Sequence, residues 1–97
     1  MQINVYVNNN GSFTVNVFDN DGYVAGSLTR GSTGVTASEV VEFIDKLRNQ
    51  EPENVRARIC MGGATQDKPM DMFSSCAGLY VQLLHAAQEV QNVLVGA

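Results

Sequence analysis

Between residues 3 and 18 the chain alternates apolar and polar side chains with a period of two, a pattern that buries one face of a β-strand and has no counterpart on a helix. Ile3, Val5 and Val7 point one way, and Asn4, Tyr6 and Asn8 the other. The run repeats as Phe13, Val15 and Val17 against Thr14, Asn16 and Phe18. Between the two lies Asn8-Asn9-Asn10-Gly11, residues that tolerate the positive φ of a tight turn. Asp19-Asn20-Asp21-Gly22 supplies the same turn chemistry before a third run, Tyr23 to Thr29, in which Val24, Gly26 and Leu28 share a face. The first third of the chain is expected to form a three-strand antiparallel meander.

Beyond Arg30-Gly31-Ser32-Thr33-Gly34 the period changes. Thr36-Ala37-Ser38-Glu39 has the spacing of a capping box, and Val35 and Val40 stand where a hydrophobic staple would close. Val40, Val41, Phe43, Ile44 and Leu47 then form an apolar stripe. Glu39 and Glu42 lie early, Lys46 and Arg48 late, as the helix dipole favours, so a helix is expected over about 37–49. Glu51-Pro52-Glu53-Asn54 ends it. Val55, Ala57, Ile59 and Met61 alternate with Arg56, Arg58 and Cys60 as a fourth strand, closed by Gly62-Gly63. Asp67 as cap and Pro69 in the first turn predict a second helix over about 69–94. Its polar residues, Asp71, Ser75, Gly78, Gln82, His85, Glu89 and Asn92, fall in one narrow stripe, which predicts a well-buried helix with Cys76 in the core.

The expected fold class is α+β, in the order βββαβα. A helical crossover between the third and fourth strands places the fourth parallel to the first, giving sheet order 3-2-1-4 with both helices on one face. The 97 residues suit a single domain over 1–97, because two would each have too small a core. Ten acidic and six basic residues leave a net charge of −4, which opposes general attraction to nucleic acid or anionic membranes. The N-terminal residues do not read as a signal peptide and no run approaches a membrane span, so a cytoplasmic protein is expected, in a bacterium or an infected host cell. Two cysteines, Cys60 and Cys76, do not make a disulfide framework and are expected to be reduced thiols.

No motif points firmly to catalysis. The βββαβα order is also how ribonuclease-H-like domains begin, yet the strands carry Asn4 and Asn8 where metal-binding carboxylates are needed. Asp19 and Asp21 lack the remainder of a calcium loop, and Gly62-Gly63 lacks the lysine and hydroxyl of a P-loop. His85 stands one turn from Glu89, but nothing fixes a nucleophile beside the pair. The reading is therefore non-enzymatic, with no cofactor and no metal.

The surface that stands out is the helix-free face of the sheet, where alternation collects Tyr6, Phe18, Arg56 and Arg58 among small amides, residue types favoured at protein-binding hot spots. Asp19, Asp21, Glu39, Glu42 and Asp45 are the further partner-binding candidates, as acids able to imitate nucleic acid. In size, acidity, turn-rich strands and lack of a catalytic motif the chain resembles the small phage-encoded proteins that inhibit bacterial defence, notably anti-CRISPR proteins. That resemblance implies an inhibitor that docks on a host nucleoprotein complex, or mimics its nucleic acid, without binding nucleic acid itself. Members of that group share no common sequence, so it assigns no site residue. Two other readings stay open: a homo-oligomeric accessory protein, as a dimer for instance, assembled through the last helix, and a domain that binds a small ligand or anion at Gly62-Gly63.

Overall fold

The computed structural model describes residues 1–50, 55–63 and 65–96; Glu51, Pro52, Glu53 and Asn54, read above as the stop after the first helix, lie outside them. The elements are β1 (Gln2–Val7), β2 (Phe13–Phe18), β3 (Val24–Leu28), α1 (Ala37–Gln50), β4 (Arg56–Cys60), β5 (Lys68–Met70) and α2 (Cys76–Gly96). They build an α+β fold in which a five-stranded mixed sheet has the order β3-β2-β1-β4-β5. β1 and β2 are antiparallel, as are β2 and β3, while β1 and β4 run parallel.

Local chemistry accounts for the meander. The Asn8–Ser12 turn closes through backbone bonds from Asn8 N to Ser12 O and from Gly11 N to Asn8 O. Asp19 Oδ1 accepts from the amides of Asp21 and Tyr23, both at 2.9 Å, so this carboxylate builds the second turn. Gly34 carries φ of 72°, and a Cβ there would lie 2.2 Å from Ser12 Oγ and 2.9 Å from the Phe13 carbonyl. Only glycine lets this segment run against the first hairpin, where Val35 and Phe13 exchange both backbone hydrogen bonds. The capping box then forms: Glu39 N donates to Thr36 Oγ1 at 3.3 Å and Thr36 N to Glu39 Oε1 at 3.4 Å, with Val35 and Val40 both buried.

One hydrophobic core joins the sheet's inward face (Ile3, Val5, Val15, Val17, Ala57, Ile59) to both helices, through Val40, Val41 and Ile44 of α1 and Leu79, Leu83, Ala86 and Val90 of α2. Both helices thus pack on the same face.

Several expectations are corrected. The four-strand order 3-2-1-4 is superseded by five strands, because residues 68–70, expected to open the last helix, pair antiparallel with β4 as an edge strand. Pro69 is tolerated there, since an edge strand leaves one side of its backbone unpaired. Asp67 caps no helix; its carboxylate accepts from Met61 N at 3.0 Å and closes the β4–β5 connection. α2 starts instead at Cys76, with Ser75 as cap: Ser75 Oγ accepts from Gly78 N and Ser75 O from Leu79 N. Cys76 is consequently exposed rather than in the core. Nor is α2 well buried, for Tyr80, Val81, Leu84, Val93, Leu94 and Val95 are all exposed. A register shift between Val17 and Phe18 sets Val24 opposite Phe18, where it is exposed instead of joining Leu28 against the core.

Candidate partner-binding face

The register fixes which side chains share the helix-free face. Gln2 pairs with Phe18 on one side and Arg56 on the other; Asn4 pairs with Asn16 and Arg58; Tyr6 pairs with Thr14 and Cys60. These three rows place Tyr6, Phe18, Arg56 and Arg58 on one patch, about 13 Å along the strands and about 10 Å across them. Asn4 is buried among its neighbours and accepts a 3.4 Å hydrogen bond from Gln2 Nε2, so the centre of the patch is amide-lined.

Charge separates this face from the rest of the molecule. Among the described residues the ion pairs are Arg30–Glu39, Arg48–Asp45 and Lys68–Glu89, and Lys46 lies one helical turn from Glu42. Arg56 and Arg58, exposed and two residues apart on β4, enter none of these pairs. An acidic protein therefore presents two adjacent guanidinium groups on its open face.

The acidic candidates are elsewhere. Asp19 and Asp21 form the β2–β3 turn, and Glu39, Glu42 and Asp45 lie on α1, in the layer behind the sheet. Glu39 is held by Arg30 and by the Thr36 cap, and Asp45 accepts from Arg48 Nε at 3.0 Å. Basic neighbours thus divide the acids into local pairs, with no continuous negative surface on α1.

A cleft continues from the open face around the β4–β5 edge, lined by Arg56, Arg58, Asp67, Pro69 and Phe73. Phe73, expected near the start of a buried helix, is 96% exposed in the β5–α2 connection, while Met70 is buried and Met72 partly so. Asp71 Oδ1 accepts from Phe73 N at 3.0 Å and thereby shapes this connection. The sequence did hold a signal for this placement: Ser74-Ser75 is a better helix start than Asp67-Lys68-Pro69, and it leaves Phe73 outside the helix.

The remaining chemical candidates are dispersed. Both carboxylate oxygens of Glu89 are engaged, one by Thr65 and the other by Lys68, and these hydrogen bonds, Lys68 first, hold its carboxyl below the ordinary range; His85 is exposed beside it. Burial, followed by the nearby Asp67 carboxylate, pushes the Cys60 thiol up and outweighs the opposing Arg58 guanidinium. Gly62 and Gly63 take φ of 69° and 80° and lead into β5, so no helix N-terminus stands at that loop. Among the described residues no three His, Cys, Asp or Glu side chains gather as a metal site, and no helix is long and apolar enough to cross a membrane. Comparison with protein families, characterised proteins and solved structures found no match to this chain.

Proposed function

We propose that this protein is a non-enzymatic binding module that docks on a protein partner through the helix-free face of its sheet. The observation that carries the reading is the joint placement of Tyr6, Phe18, Arg56 and Arg58 on one patch, with neither arginine in an ion pair among the described residues. Aromatic side chains and arginine contribute large contact area and forked hydrogen bonding, and a guanidinium in no ion pair among the described residues is open to a carboxylate on another protein. Phe73, at the rim of the adjoining cleft, extends the apolar part of this surface.

The partner class follows from the general character described above: a nucleoprotein complex of bacterial defence, of the CRISPR–Cas kind, met in the cytoplasm by a phage-type inhibitor. Within that reading, direct docking is favoured over mimicry of nucleic acid. Mimicry needs a run of uncompensated carboxylates, whereas Glu39 and Asp45 are each neutralised locally. The test is phage plating on bacteria in which a CRISPR–Cas system restricts the phage. Expression of the protein should restore plating against at least one system type, and unchanged restriction across the types assayed would remove the inhibitor reading.

A further inference from the structure

We infer that α2 is a dimerisation helix, pairing antiparallel with α2 of a second copy of this chain. Its polar stripe is only partly turned outward, at Ser75, His85 and Asn92. Gln82 Oε1 accepts from Asp71 N at 2.8 Å and its Nε2 donates to Asp71 O at 3.2 Å, while Glu89 holds Thr65 and Lys68. These bonds tie the polar stripe to the β4–β5 and β5–α2 connections, and Leu79, Leu83, Ala86 and Val90 fill the core. The face left for solvent carries Ala77, Val81, Leu84, Gln88 and Val95, and Gln91, half-buried, continues their four-and-three spacing while its Nε2 donates to Asn9 O at 2.6 Å; this is the seam of a heptad repeat. Tyr80 and Leu94 flank it, both exposed.

Three properties of the seam select a second copy as its occupant. The only Asp, Glu, Lys or Arg between residues 76 and 96 is Glu89, already bonded to Lys68, and Arg30, which borders the seam beside Tyr80 and Leu84, is paired with Glu39, so α2 itself offers no free charge for a charged partner to match or to repel its own copy. The seam is apolar at both ends and amide in the middle. A two-fold axis near Ala87 and Gln88 therefore brings Tyr80 and Val81 of one copy to Leu94 and Val95 of the other, and sets the Gln88 side chains, each donating to Asn92 Oδ1 of its own helix at 2.9 Å, opposite each other. Opposed helix dipoles favour this direction over a parallel one. The strip is about 27 Å long and one helix wide, and two of them reach the lower end, roughly 1,000 Å², of what a specific interface buries. A dimer of modest affinity follows. It uses the helical layer, on the other side of the sheet from Arg56 and Arg58, so it stands or falls separately from the docking proposal.

Sedimentation equilibrium on the full chain across a concentration series tests it. A reversible dimer is expected, weakened at least about tenfold by Leu84→Glu, which puts a charge in the seam, and strengthened by Gln88→Leu, which removes a polar pair from it. Leu84 is already 44% exposed, so circular dichroism of the glutamate variant should match the parent. The two Cys76 side chains stand about 35 Å apart in the antiparallel pair and should not crosslink on mild oxidation, whereas Gln88→Cys in a Cys76→Ser background should. A chain that stays monomeric throughout, a dimer indifferent to both substitutions, or a rapid Cys76–Cys76 disulfide would overturn the inference.

Discussion

Cys60 and Cys76 show how strongly position decides the behaviour of one residue type. Cys60 ends β4 and is buried beside Asp67, where desolvation and a neighbouring carboxylate both keep the thiol protonated. Cys76 opens α2, is exposed, and has Arg48 Nη2 at 3.6 Å from its sulfur. Titration with a thiol reagent should therefore consume one equivalent rapidly in the native protein, lost in Cys76→Ser, and the second only on unfolding. Two equally fast thiols would contradict the placement of Cys60. Arg48 also shows why a cation on α1 differs from one on β4. It is tied to Asp45 and donates to the Met72 and Ser74 carbonyls, bracing the connection into α2, while Arg56 and Arg58 are exposed and enter no ion pair among the described residues, Arg58 hydrogen-bonding the Cys60 thiol.

Among the elements, α2 is held in its rotational setting by polar bonds from Gln82 and Glu89 along one flank, with Gln91 donating to Asn9 O on the other side. Glu89 is the clearest of these, and its contribution should depend on pH. Its folded pKa is lowered by Lys68 and Thr65, so the stability it adds is present above the unfolded value of about 4.3 and is lost as pH falls through the folded value. Glu89→Gln should accordingly lower the melting temperature at neutral pH, with the difference from the parent shrinking toward zero in acid. A difference that persists unchanged in acid would mean the residue acts through packing alone. The same flank explains which parts of the fold could be read in advance. β1, β2, α1 and β4 were legible because alternation, Asn- and Asp-rich turns and the Thr36–Glu39 box are local signals. β5 was not, since three residues containing Pro69 become a strand only by pairing with β4. The buried face of α2 was also hidden. Its apolar residues surround most of the helix, and the choice among them is made by Gln82 and Glu89 reaching segments distant in sequence.

For the molecule as a whole, the layers separate two surfaces of different chemistry. The sheet face is aromatic, amide and cationic; the outer face of α2 exposes Tyr80, Val81, Leu84, Leu94 and Val95 around the Gln88 amide. The face-sharing of Tyr6, Phe18, Arg56 and Arg58 could be read from alternation alone. The separation of Asp19, Asp21, Glu39, Glu42 and Asp45 from that face, and the exposure of Phe73, required the sheet register and the true start of α2. A dimer through α2 would present two sheet faces pointing away from the shared axis, raising the apparent affinity for any partner with repeated subunits. The most direct measurement is affinity capture from bacteria carrying CRISPR–Cas systems, with the recovered complex identified by mass spectrometry and compared between the parent, Arg56→Glu/Arg58→Glu and Leu84→Glu. The parent should recover a defence complex, the arginine double variant should lose it, and the leucine variant should still bind its subunits. Recovery of no such complex, or recovery that survives reversal of both arginines, would contradict docking through the open face of the sheet.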